Sequence, residues 1–329
     1  MKAALLYGPQ ELRVEEIKEP SVPENWAIIK TVAVGICGTD KAFYTGTYKL
    51  FKRPLVPGHE VVGEVVKPLS LQGKLVVPEI NFSCWQCEVC REGLYIHCPY
   101  KRTLGIDFDG GMAEYFVAPL NAIHIVDLDP MVAVAVEPLA AVINALDQFP
   151  LSPTASVAVL GSGNLALLTL QLLKFMGFKP VAVIRRESRK RGYVESLDVD
   201  IVELESAEEY LKRRTSLGLG FHAVFEATGS SEGLDIAIKL ARPRGLVYLK
   251  STPGSPFVAD MTSAVVKEVR VVCSRCGSHR DFEKAIELLK SGAVNPIVTR
   301  VLKGLDSAKK AFELAIEPEE VKVVVKTAG

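Results

Sequence analysis

Val157-Ala-Val-Leu-Gly-Ser-Gly-Asn-Leu-Ala166 decides the fold. The first four residues are apolar and read as a buried strand. The residues from Asn164 onward repeat apolar positions at helical spacing. Between strand and helix stands G-x-G-x-x-A. Gly161 permits a tight turn, Gly163 lets the backbone approach a pyrophosphate, and Ala166 lets helix and strand pack closely. A helix opening there offers unpaired N–H groups and a positive dipole end to phosphate, which places Asn164 and Leu165 in the binding set with the two glycines. In this strand–loop–helix setting the motif predicts a dinucleotide-binding turn; a glycine-rich turn without a ligand is the plainer alternative.

The flanking sequence extends the pattern. Strands are expected over 156–160, 181–184, 201–203, 223–227, 246–249 and 269–273. Helices are expected over 164–176, with Gly177 just past the end, from 207 to about 217, and near 234–240. Strands alternating with helices imply βαβ units and a doubly wound parallel sheet, so residues 140–275 read as an α/β dinucleotide-binding domain. The end of the second strand selects the dinucleotide. A carboxylate there would accept from a ribose 2′-hydroxyl. This chain instead has Arg185-Arg186-Glu187-Ser188-Arg189. Arg185, Arg186, Ser188 and Arg189 suit a 2′-phosphate, so NADP(H) is expected over NAD(H). A solvated helix start is the alternative, and Glu187 leaves weak NAD binding open.

Residues 1–139 have another grammar. Short Val/Ile runs at 27–34, 61–66, 75–77 and 115–118 are punctuated by Gly and Pro, as in an all-β, partly barrel-like domain. Residues 276–329, with helices at 282–289 and near 307–316 and strands at 298–301 and 321–326, read as a return that completes this first domain. The cleft between two such domains is the default place for cofactor and substrate.

The first domain carries Cys84, Cys87, Cys90 and Cys98, spaced C-x2-C-x2-C-x7-C. Four thiolates on one polar, turn-like lobe suit a closed, tetrahedral, structural zinc. Two disulfides or scattered core thiols are the alternatives. The chain opens on a strand-like 3–7 rather than a secretory leader, and no transmembrane-length apolar run is apparent, so a cytoplasmic protein with metal thiolates is expected. The 329 residues are 48% hydrophobic and 24% charged with no net charge, which gives no electrostatic case for nucleic acid or an anionic membrane. Six Asn and five Gln lean weakly toward a thermophilic source.

A second metal set is scattered along the same domain: Cys37 in Gly35-Ile-Cys-Gly-Thr-Asp40, His59-Glu60 in Pro57-Gly-His-Glu-Val-Val-Gly63, and Glu137 in Ala135-Val-Glu-Pro-Leu-Ala140. A catalytic zinc wants three protein ligands and an open position. Cys37 and His59 supply two; the third is open between Glu60 and Glu137.

In order along essentially the whole chain, these motifs, with Asp109-Gly-Gly-Met-Ala-Glu-Tyr115 and Ala227-Thr-Gly229, resemble the zinc-dependent medium-chain dehydrogenase/reductase family of alcohol, polyol, threonine and glucose dehydrogenases. The resemblance implies α/β plus β architecture: a GroES-like catalytic domain with an inserted Rossmann doubly wound parallel-sheet domain. It implies that Cys37 and His59 ligate a catalytic zinc, that Asp40 orients the histidine, that Thr39 relays the substrate proton, and that Thr228 and Lys322 join the cofactor contacts, Lys322 at the pyrophosphate. It further implies reversible hydride transfer between NADP(H) and a small-molecule alcohol or carbonyl, and a homodimer or homotetramer. The chain departs from relatives in having Ala42 where many end the proton relay with histidine, and in a shortened link at 67–73. Phe43, Tyr44, Phe82 and Trp85 read as flanking the substrate site, which favours an apolar substrate. A sugar or polyol dehydrogenase, with Glu114 participating, and a non-catalytic zinc and NADPH-binding protein are the rivals. The zinc-free quinone reductase branch is disfavoured because it lacks these ligands.

Overall fold

The structure, a computed structural model, describes residues 1–327. It divides into two compact units: 1–140 with 276–290 and 298–329, and 141–275 with 291–297.

In the first unit β1 (Lys2–Gly8) and β2 (Glu11–Glu16) form an antiparallel ribbon. The organising strand is β3 (Trp26–Gly35). Ala27, Ile29, Thr31 and Ala33 alternate into the core along its first eight residues, and its last three are all buried. It pairs with β4 (Glu60–Lys67), which pairs with β5 (Leu75–Pro78). The tiny β6 (Asn81–Phe82) and β7 (Arg102–Thr103) pair with each other beside the cysteine lobe's sequence. β8 (Tyr115–Pro119) pairs with β3, and β9 (Ile123–Ile125) with β5.

The second unit is a six-stranded parallel sheet in the order β12-β11-β10-β13-β14-β15. Its strands are β10 (Val157–Leu160), β11 (Val181–Ile184), β12 (Asp200–Glu203), β13 (Phe221–Glu226), β14 (Ala241–Leu249) and β15 (Arg270–Cys273). Every residue of β10 and β11 is buried, as strands covered on both faces require. Helix Asn164–Phe175 ends in the left-handed Gly177 at φ 87°, whose N–H donates to Lys174 O at 2.9 Å.

The chain then returns to the first unit. β16 (Arg300–Lys303) pairs with β17 (Val323–Lys326), and β17 pairs antiparallel with β3, Val324 opposite Gly35. Helix Ala308–Ala315 buries Phe312 fully against Tyr44, ring centroids 5.3 Å apart. Burial of such a ring contributes about 1.5–3 kcal/mol, which anchors the return.

Several expectations are corrected. The helix from 207 stops at Arg214, because Thr215 turns extended (φ −107°, ψ 152°); Leu217, at φ 55°, lies in a separate short turn. β14 begins five residues before the expected strand. The lobe expected to be all turn contains helix Glu88–Arg91. Pro130–Gln148 is long and apolar enough to cross a membrane, contrary to the reading that no such run exists; 78% of its best window is buried within the protein, as in a core segment.

Candidate active site and metal centres

The candidate catalytic corner grows from the end of β3. Cys37 is the N-cap of helix Gly38–Thr45, and Asp40, three residues on, returns its Oδ2 to accept the Cys37 N–H at 2.9 Å. The other carboxylate oxygen lies 3.9 Å from His59 Nδ1, beyond hydrogen-bond reach. Both atoms are buried without a partner. Gly58 holds φ 97°, and a Cβ there would meet Val34 Cγ1 at 2.6 Å; this turn delivers His59 at the head of β4. Cys37 and Thr39 are half-buried, whereas Asp40, His59, Glu60 and Glu137 are buried.

Cys37, Asp40, Glu60 and Glu137 share the corner with one imidazole and one ammonium. Burial works against a charged His59, yet the Cys37 sulfur, the Asp40 carboxylate and then Glu137 outweigh it and lift the imidazole well above its ordinary value. For Asp40, burial pushes the pKa up, and His59 and the Cys37 and Gly58 amides pull it back only in part. A corner that draws a proton onto His59 so firmly suits a cation, and thiolate, imidazole and carboxylate are zinc donors. Buried His59 Nδ1 and Asp40 Oδ1, left unpaired so close together, fit the arrangement in which a carboxylate steers a metal-ligating histidine.

The two glutamates differ. Glu60 stands opposite Gly35 in the β3–β4 register. Its Oε2 pairs with Lys322 Nζ, which also donates to Ile36 O at 3.2 Å. A Cβ on Gly35 would fall 2.6 Å from that carboxylate oxygen and 3.3 Å from Lys322 Cδ, so the glycine makes room for the pair. Burial disfavours the Lys322 ammonium, but Glu60 and then Cys37 hold its pKa above the ordinary value. Lys322, expected at a pyrophosphate, is thus a buried partner of Glu60, and reaching a phosphate would require that pair to break. Glu137 lies in the first turn of helix Val136–Gln148.

The cysteine lobe is tighter. Cys84, Cys87, Cys90 and Cys98 bring their sulfurs within 4.8 Å of one another. The Cys84–Cys90, Cys87–Cys98 and Cys84–Cys98 separations are 4.0, 3.8 and 3.5 Å. A tetrahedral ion with sulfur at about 2.3 Å sets sulfurs about 3.8 Å apart, whereas a disulfide needs about 2 Å. Cys84, Cys87, Cys90 and Cys98 form no disulfide, so the disulfide alternative is removed. Backbone N–H groups of Gln86 and Cys87 pull the Cys84 thiol down to about 6, while burial and the neighbouring thiols push Cys90 up to about 12. Among the described residues Cys37, His59 and the two glutamates form no set this compact.

The glycine turn joins β10 to the helix Asn164–Phe175. Gly161 has φ 122°, and a Cβ there would lie 2.7 Å from Ala227 O of the adjacent strand end. Gly163, N-cap of the helix, has an extended backbone that any residue adopts, and a Cβ there would touch nothing within 4 Å. Internal packing therefore gives no reason for glycine at 163; a close-lying phosphate does. Asn164 and Leu165 open the helix. Ser162 Oγ and Ser188 Oγ lie 2.9 Å apart, tying the glycine loop to the turn after β11. Arg185 and Arg189 are exposed. Arg186 Nε donates to Glu203 Oε2 at 2.8 Å, and Glu203 also takes Arg191 at 3.2 Å, so part of the arginine charge is already spent inside the unit. Thr228 N–H donates to Glu226 Oε1 at 2.9 Å. Glu226 is fully buried and organises this turn; it was missed because an acid inside an apolar run gives no spacing signal.

Two further expectations fail. Phe43, Tyr44 and Phe82 belong to the hydrophobic core, and Trp85 stacks on Tyr95 at 4.4 Å within the cysteine lobe. Phe43, Tyr44 and Phe82 are therefore packed internally rather than open to a ligand, whereas Trp85 is exposed. Glu114 is exposed and accepts the Lys2 amide at 2.8 Å, outside the corner.

Residues 23–127 match the family described as alcohol dehydrogenase GroES-like domain, and 165–291 match zinc-binding dehydrogenase. L-threonine 3-dehydrogenase of Pyrococcus abyssi is 30% identical over 98% of this chain and 97% of its own length. D-arabitol-phosphate dehydrogenase of Enterococcus avium is 28% identical over 97% and 95%. Among solved structures, a zinc-binding dehydrogenase of Sinorhizobium meliloti bound to NADP superimposes with TM-score 0.86 at 28% identity, covering 99% of this chain and 98% of that one. The Thermus alcohol dehydrogenase TADH gives 0.89 at 26%, covering 99% and 100%. With its two matched domains, its zinc-ligand chemistry and its dinucleotide turn, the chain belongs to the zinc-dependent medium-chain dehydrogenase/reductase family of oxidoreductases.

Proposed function

We propose that the chain reversibly interconverts an alcohol and its carbonyl compound, preferring NADP(H) to NAD(H), at a zinc held by Cys37, His59 and Glu137. The observation that carries this reading is the buried, unpaired His59 Nδ1 facing Asp40 beside Cys37. Glu137 is favoured as third ligand over Glu60 because Glu137 acts electrostatically on His59 while Glu60 is engaged by Lys322. When bound, the zinc supplies Lewis acidity and the nicotinamide supplies hydride exchange. The residues do the rest. Asp40 fixes the imidazole plane, Thr39 passes the substrate proton outward, and Gly163 lets the pyrophosphate approach the helix terminus. Ala42 cannot extend the proton path, so Thr39 delivers to water.

The burial of Phe43, Tyr44 and Phe82 weakens the argument for an apolar substrate and leaves room for the second reading, an alcohol with further polar groups, such as a polyol. The names of the threonine and arabitol-phosphate relatives agree with it. The cofactor preference rests on Arg185, Arg186, Ser188 and Arg189, with no carboxylate at the tip of β11. A homo-oligomer is supported by the unpaired edge of β15 and by exposed Val258, Met261, Val265 and Val266 close by in sequence. The four lobe thiols, none in a disulfide, support a cytoplasmic location.

The test is turnover on apolar alcohols, polyols, sugar phosphates and threonine with each dinucleotide, before and after zinc removal. Zinc-dependent oxidation of polar alcohols is expected. Arg185→Ala with Arg186→Ala should weaken NADPH by about tenfold or more, the range for one lost charged hydrogen bond, and leave NADH nearly unchanged. Equal losses on both would refute the 2′-phosphate assignment.

A further inference from the structure

A second compact ligand set lies beside the cysteine lobe. Glu79, His124 and His279 come from the segment after β5, from β9, and from the first residue of helix His279–Lys290. Their nearest carboxylate oxygen and ring nitrogens all lie within 4.8 Å of one another. Glu79 Oε1 stands 2.8 Å from His279 Nδ1 and 3.3 Å from His124 Nε2. Ligands about 2.1 Å from a common ion stand roughly 3.0–3.4 Å apart, so the 3.3 Å separation matches a metal's bite, and the 2.8 Å one is a hydrogen-bond length that a bound ion would widen by a few tenths of an ångström.

The surroundings hold all three in place. Tyr95 OH donates to the other oxygen of Glu79 at 3.0 Å and accepts the His279 backbone N–H. His124 stacks on Phe282, rings 5.2 Å apart and 14° from parallel. His279 Nε2 lies 3.5 Å from Glu283 Oε1. His279 faces a carboxylate at each nitrogen, Glu79 at Nδ1 and Glu283 at Nε2. A cation at Nδ1 frees the proton for Nε2 and Glu283, giving the carboxylate–histidine–metal order that recurs in metal sites. Glu79 and His124 are buried, while the His279 side chain is 46% exposed and leaves an entry path.

We propose that Glu79, His124 and His279 form an additional divalent-cation site, for zinc, cobalt or nickel class ions, distinct from the cysteine lobe and from the Cys37 corner. No hydride chemistry is assigned to it. Tyr95 connects it to the lobe, and its role is to clip the helix His279–Lys290 onto the first unit's sheet.

The test compares wild type, Glu79→Gln and His279→Ala. Each is equilibrated with Co2+, freed of loose metal by gel filtration, and measured for cobalt per chain and for its absorption spectrum. Both variants should hold one equivalent fewer than wild type, and the lost fraction should lack thiolate-to-cobalt charge-transfer bands. Equal metal contents overturn the proposal. So does a lost fraction that carries thiolate bands, since the metal then came from cysteine. His279 is half-exposed, so His279→Ala remains informative if Glu79→Gln fails to fold. The readout is a difference in metal content, so it stands whether or not the zinc at Cys37 is upheld.

Discussion

The cysteine lobe and the Cys37 corner belong to one domain and offer zinc two opposite receptions. The lobe closes on itself: four sulfurs from fifteen consecutive residues lie mutually within 4.8 Å, helped by their own backbone amides. The corner draws on residues 37, 40, 59, 60, 137 and 322. It buries two polar atoms that have no partner, and one of its carboxylates is held by a lysine. A set that satisfies itself stabilises a loop. A set that leaves groups unsatisfied and charge unbalanced is prepared for something that binds.

The comparison breaks first at the lobe. Cys84→Ser should cost at least about 4 kcal/mol of stability, the range in which loss of a structural metal falls, and should release the lobe's ion; thermal unfolding with metal analysis reads both. Little change in unfolding temperature would make the lobe a bystander. Lys322→Met comes next, because it strands Glu60 buried and charged. The expected loss is about 3 kcal/mol, measured by denaturant titration, with NADPH affinity nearly unchanged. A collapse of NADPH affinity at unchanged stability would restore the pyrophosphate role. Asp40→Asn is the mildest: metal affinity and kcat should fall about 10–100-fold while the unfolding temperature hardly moves. A large stability loss there would make Asp40 a helix cap and nothing more.

What the sequence disclosed followed the range of the interactions. The glycine turn, Gly177 after its helix, and the cysteine tetrad are local patterns, and their backbone and sulfur geometry appear where spacing puts them. Residues whose partners are distant in sequence resisted reading. Lys322 meets Glu60 across 262 positions. His279 meets Glu79 across 200. Only the register of β3 with β4 and β17 brings the first pair together. Aromatic residues misled for a related reason: Phe43 and Tyr44 flank the corner in sequence, but the helix Gly38–Thr45 turns both inward, Tyr44 against Phe312. Glu226 and the Arg186–Glu203 pair went unseen because each is set by strand order, which spacing does not reveal.

The pairing of β17 with β3 has a consequence in time. Gly35, two residues before Cys37, finds its partner Val324 only after 289 further residues have been added (324 − 35). At synthesis rates of ~5–20 residues per second, that delay is on the order of 15–60 s. Through that interval the Ala33–Gly35 end of β3 lacks its β17 partner, and Glu60 has no Lys322 to neutralise it. The first domain to leave the ribosome is therefore the last to be completed, and a nascent chain stalled before β17 carries a finished dinucleotide sheet and an unfinished metal corner.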